Sequence, residues 1–150
     1  MDLRAEAVLA DAKEAVRRFS VAQDDQDRRL YWFAAVGLLR AVGHVLDKVD
    51  AASDPAFKKR QEAWWRVAKQ DPVHQFIEHT RNSLLKQYLP QAEPAYIVTR
   101  NGERIELRDG SVLVTARWYL TDGPLEGREA GEVIREAVAW WEQQLVDLAQ

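Results

Sequence analysis

The apolar residues of this chain keep a helical spacing as far as Leu89-Pro90, alternate between Tyr96 and Leu120, and return to helical spacing beyond Gly123-Pro124. Side chains three or four apart share a face of a helix, whereas side chains two apart share a face of a strand. The double switch predicts a mainly α (α+β) fold. It is a single-domain helical bundle of about five helices, with a small antiparallel β-meander inserted before the last helix. At 150 residues the chain fits one such domain and can bury a core. No linker, internal repeat or low-complexity segment is visible in it.

Leu9, Ala12, Val16 and Phe19 place a first helix over about 2–21. Gln23-Asp24-Asp25-Gln26 is a polar connector whose aspartates suit an N-cap. A second helix follows over about 26–49, with Phe33, Val36, Leu39, Val42, Leu46 and Val49 as its apolar stripe. Beside that stripe lie the small residues Ala34, Gly37 and Ala41. Glycine costs a helix about 1 kcal/mol relative to alanine, so Gly37 and Gly43 predict a second helix passing close to this surface. A ligand touching the backbone at Gly43 is the other reading.

Asp54-Pro55 and Asp71-Pro72 each offer a cap followed by proline at the first helical position. They start helices over about 55–69 and 72–89, joined so closely that the chain must turn sharply between them. Tyr96-Ile97-Val98-Thr99 runs into Arg100-Asn101-Gly102, and Asp109-Gly110 is a second turn. Strands are predicted over about 96–100, 103–108 and 111–120. Val112, Val114, Ala116, Trp118 and Leu120 share one face of the last strand, which must pack on the helices for the meander to be stable. The opposite face, Arg104, Arg108 and Arg117 diluted by Glu106, reads as solvated rather than as a nucleic-acid patch. A last helix spans about 126–149, with Val133, Ala137, Trp140, Gln144 and Leu148 along one track and Ile134, Trp141 and Leu145 beside it.

Composition narrows the chemistry. The 21 basic and 24 acidic residues leave a net charge of −3, which gives no overall attraction to nucleic acid. The chain has no cysteine, which removes disulfides, thiolate metal sites and a cysteine nucleophile, and fits a reducing cytosol. The charged start, Met1-Asp2-Leu3-Arg4-Ala5-Glu6, has no apolar signal region. The longest apolar run, Tyr31–Leu39, falls well short of the roughly 20 residues that span a bilayer. The expectation is a cytoplasmic protein without membrane contact. No phosphate-binding loop, dinucleotide fingerprint or nucleophile elbow is present, so no cofactor and no nucleotide is expected.

The histidines are His44, His74 and His79. The last two are five apart, hence about 140° apart around a helix, and cannot share one metal ion. The six tryptophans, Trp32, Trp64-Trp65, Trp118 and Trp140-Trp141, include two adjacent pairs. Neighbours on a helix point about 100° apart, so one ring of each pair packs inward and the other lies at an edge or a subunit interface. Trp65 and Trp141 are the candidates for anchoring a partner, since aromatic residues are enriched at interfaces.

Polar residues concentrate on the helix Asp71–Tyr88, whose inward face is Val73, Phe76, Ile77, Thr80, Leu84 and Tyr88. Glu78 is three residues from Arg81 and four from Asn82, so these side chains meet on the helix surface, and with His74, four residues before Glu78, they form a polar cluster beside Lys86. A salt-bridged solvent face is the plain reading of this cluster. A polar binding groove built on Glu78, Arg81, Asn82 and Lys86 is the functional one.

The stretch Glu78-x-x-Arg81-Asn82-Ser83-Leu84-Leu85-Lys86-Gln87-Tyr88 resembles the Arg-Asn-x-x-x-x-His helix of HEPN-like proteins, helical bundles of bacterial defence and toxin–antitoxin systems. The order of helices is similar too. The resemblance implies a homodimer that brings two such helices together. In the family an Arg–His pair cleaves RNA without metal. Arg81 and Asn82 match, but Lys86, Gln87 and Tyr88 stand where the histidine belongs. Histidine titrates near neutrality, as a general base should, whereas lysine and tyrosine titrate near 10. The resemblance thus implies a non-catalytic binding or regulatory module for a protein or RNA partner, with Arg81 anchoring a phosphate or carboxylate and Asn82 and Glu78 orienting it. Two alternatives remain: a metal-independent endoribonuclease with Lys86, Tyr88 or His79 as substituted base, and a plain protein-interaction domain.

Overall fold

The computed structural model describes residues 3–150. Five helices and a two-stranded sheet form the domain, in the order expected. Helix α1 is Arg4–Val21, and α2 is Asp25–Val45. A π-helical turn, Leu46–Asp50, and a short turn, Ala51–Ser53, prolong α2 without interruption. Helix α3 is Pro55–Ala68 and α4 is Pro72–Gln87. Strands β1, Ala92–Tyr96, and β2, Val114–Leu120, pair antiparallel, and α5, Ala130–Ala149, closes the chain. The expected helix start at Asp2 lies outside the described residues.

The caps explain most helix starts. The Asp24, Asp54 and Asp71 side chains accept from the backbone N–H groups of Asp27, Ala56 and Val73. Each satisfies an amide that the first helical turn leaves free. Helix α1 has no such cap of its own. Asp50 supplies it from the π turn, accepting from Arg4 N at 2.9 Å and Ala5 N at 3.0 Å. The π turn thus carries a buried carboxylate onto the positive end of another helix.

Helix α2 is the centre of the core. Trp32, Ala35, Val36, Leu39, Val42 and Leu46 are buried on it, against α1, α4 and α5. By length and composition alone, Asp25–Ser53 could cross a membrane. In this fold its apolar side is the inner wall of the bundle. From α5, Val133, Ile134, Ala137, Trp141, Leu145 and Leu148 pack inward. Trp141 is buried and lies against Gly43, so one of the two glycines of α2 does mark a close approach. Gly37 does not: a Cβ there would meet nothing within 4 Å.

The β insertion departs from the expected meander. Its three predicted strands become the pair β1–β2, which begins before Tyr96 because Ala92, Glu93 and Pro94 already pair with Leu120, Tyr119 and Trp118. Between the strands, Val98 bridges Arg104 and Glu106 bridges Val112. Ile97 N donates to Leu113 O, Leu113 N to Ile105 O, and Ile105 N to Ile97 O. Three chain segments therefore close a ring of hydrogen bonds in place of a flat ladder. The segments are offset by eight residues: Thr99 and Leu107, Gly102 and Gly110, Glu103 and Ser111 make matching turn bonds. That octad is an internal repeat which side-chain type alone conceals. Paired residues share a face, so Arg104 lies on the side of Val98 and Tyr96, where its guanidinium sits 3.9 Å from the Tyr96 ring centre. Only Trp118, Leu120 and Ala92 reach the core, while Val98, Leu107, Leu113 and Val114 stay exposed. The last helix starts at Ala130 rather than 126, because Leu120 and Tyr119 pair with the 127–129 segment first.

Candidate functional site

Helix α4 starts at its Asp71-Pro72 signal and ends at Tyr88, which adopts a left-handed conformation (φ 54°). That ending turns Tyr88 outward instead of into the core, where helical spacing had placed it. Its ring lies 5.0 Å from that of Phe33 at a tilt of 53°, and Arg29 lies over both rings. The buried side of α4 is His74, Phe76, Ile77 and Thr80.

Glu78 does not meet Arg81. It turns to α2, where its Oε1 lies 2.6 Å from Arg40 Nε and 3.9 Å from His74 Nε2. The Arg40 Nε–H is buried without an acceptor in line, so this contact is an ion pair more than a hydrogen bond. His74 is buried, its ring edge-on to Trp65 at 4.8 Å. Burial pushes its pKa below the ordinary 6.5, against the pull of Glu78, and keeps it neutral near pH 7.

Arg81 and Asn82 stand together at the half-exposed edge of α4, with Arg81 Nη1 donating to Asn82 Oδ1 at 3.1 Å. Lys86 is exposed one turn further on. His79 points the other way. Its Nε2 is 3.0 Å from Gln91 Oε1 and 3.5 Å from Asp122 Oδ2. A Cβ on Gly123 would come within 2.7 Å of its ring. His79 and Arg81 are two residues apart, about 200° around the helix, so they cannot act on one bond.

The two tryptophan pairs meet each other. Trp64 lies 5.7 Å from Trp65, 6.3 Å from Trp140 and 5.8 Å from Trp141. Trp64 Nε1 donates to Gln144 Oε1 at 2.6 Å. Trp141 is only 1% exposed, so it is withdrawn as a partner anchor: Gly43 opens a slot in α2 that its ring fills. Trp65 is half-buried and lines a cavity.

That cavity, about 370 Å³, opens between α2 and α3. Arg40, Gly43 and His44 of α2 and Asp47 of the π turn line it from one continuous stripe. Gln61, Glu62, Trp65 and Arg66 line it from α3. Sequence reasoning missed it. The signal was available in two helices each carrying polar residues at spacings of three and four, but only the chain's turn at Asp54 sets the stripes face to face. A second cavity, about 230 Å³, lies between β2 and α5 beside Arg28, Arg117 and Glu129. Neither takes in Arg81, Asn82 or Lys86. Among the described residues no three His, Asp or Glu side chains are grouped to hold a metal ion. No protein-family model, no curated protein and no solved structure matches the chain.

Proposed function

We propose that this chain is a non-catalytic, HEPN-like binding and regulatory module of a bacterial defence or toxin–antitoxin-type system, working in the cytoplasm as a homodimer that engages a protein or RNA partner. The observation that carries this reading is the fate of the histidines on α4. His74 is buried behind Glu78 and Trp65, and His79 is held by Gln91 and Asp122 on the side away from Arg81. Arg81 is left with Asn82 and no general base, an arrangement suited to grip an anionic group and not to move a proton.

The self-association face is the outward side of α2 with the adjoining edge of α4. Leu30, Leu85, Tyr88 and Leu89 are exposed there, each about half or more. Gly37 of α2 has nothing within 4 Å of a Cβ placed on it, so another backbone can approach closely there. Arg81 lies at the border of this face.

Light scattering on the purified protein and on Gly37→Trp tests the association, with a dimer expected for the first and a monomer for the second. Incubation with single-stranded RNA tests the absence of catalysis. RNA cleavage that disappears in Arg81→Ala would overturn the reading in favour of an endoribonuclease.

A further inference from the structure

The cavity between α2 and α3 is a different place from the α2–α4 face, and a ligand there is independent of the module's proposed role. Gln61 is 4% exposed, yet it lines this cavity and its amide has no hydrogen-bond partner among the described residues. The amide atoms are reached from the cavity itself and are not among the buried atoms left without a partner, so their donor and acceptor capacity is open to whatever fills the cavity. The carboxylates and guanidinium groups of the cavity are sorted by sign, with His44 between Asp47 and Arg40 along the chain. Asp47 and Glu62 lie nearer the α2–α3 junction at Asp54, seven residues before it and eight after it. Arg40 and Arg66 lie further out, fourteen before and twelve after. At a rise of about 1.5 Å per residue, the acidic and basic ends are about 10 Å apart along α2 and 6 Å along α3.

We propose that this cavity binds a short peptide of two or three residues with both termini free. Its ammonium lies between Asp47 and Glu62. Its carboxylate lies on Arg66, the guanidinium fork giving the two-point contact that carboxylates favour. Arg40 adds positive potential at that end while its Nε stays with Glu78. The Gln61 amide, which both donates and accepts, meets the peptide group in the middle. Trp65 covers the chain from one side. A single α-amino acid holds its two charges about 3 Å apart and is too short, whereas residues of an extended peptide add about 3.3–3.6 Å each and reach the required span. The cavity, about 370 Å³, is at the lower end of the range for small-ligand sites.

The test is calorimetric titration of the full chain with trialanine, N-acetyl-trialanine, trialanine amide and free alanine. Trialanine is expected to bind, and each of the other three to bind at least about tenfold more weakly. Arg66→Ala and Gln61→Met are expected to weaken trialanine by a similar factor. Arg66 is exposed, so its variant should keep the wild-type circular dichroism and melting curve, which separates lost binding from lost folding. No heat from trialanine at concentrations of about 10 mM overturns the proposal. So does equal binding of the acetylated peptide, of the amide, or of free alanine.

Discussion

Gly43 and Gly37 lie six residues apart on α2, and the two sides of the helix give them opposite surroundings. A Cβ on Gly43 would stand 3.1 Å from Trp141 Cη2, in a wall of four tryptophans. A Cβ on Gly37 would stand in open space, with nothing within 4 Å of it. The inner glycine is a packing device whose partner is present. The outer one has the same helical cost with no partner in this chain. A helical glycine therefore reports close approach only once its surroundings are known.

Emptying the inner side should have the largest effect. Trp141→Ala is expected to lose about 3–5 kcal/mol in denaturant unfolding, as removal of a fully buried aromatic does. Leu85→Ala, on the outer side, should change stability by less than about 0.5 kcal/mol. Comparable losses at both sites would end the distinction between the two sides.

Next comes the cap that the π turn provides. Asp50→Ala should cost about 1–2 kcal/mol, since α1 has no other N-terminal side-chain cap. A neutral result would mean that the π turn has no structural role at α1.

The two glycines themselves give a smaller pair of opposite signs. Gly37→Ala should stabilise the monomer by about 0.5–1 kcal/mol through helix propensity. Gly43→Ala gains the same propensity but must push the Trp141 ring, 3.1 Å from the new Cβ, by a few tenths of an ångström out of its packed position, for an expected net loss of about 1 kcal/mol. Thermal melts of both variants decide it, and two gains would show that the tryptophan wall yields.

The mildest effect is that of pH on His74. Its folded pKa lies below the unfolded value near 6.5, so in the window just below 6.5 the unfolded chain binds a proton that the folded chain does not. Stability should then fall as pH falls through that window and be level above it. His74→Asn should flatten this slope, measured as unfolding midpoints across pH 5–8 (about the range in which histidine titrates).

Much of the fold was legible in residue spacing. The helix starts at Asp54 and Asp71 follow from a cap and a proline, both local interactions. The β insertion was legible as strand, but not as a ring of three eight-residue segments, because that closure depends on backbone bonds among Ile97, Ile105 and Leu113 and on no side-chain pattern. The site was less legible. Spacing on α4 put Glu78 with both His74 and Arg81, and only the first neighbour holds, at 3.9 Å; spacing could not show that Arg40, from α2, would draw Glu78 away from Arg81.

The sequence by itself determined the helices, their order and the place of the insertion, because each depends on residues near one another in the chain. Tertiary structure alone decided that Trp141 is core and Trp65 a cavity wall, that His79 turns to Gln91, and that two polar stripes face each other across the Asp54 junction. Those outcomes depend on which surfaces meet after folding, and a periodic pattern gives the direction of a side chain without giving what stands opposite it.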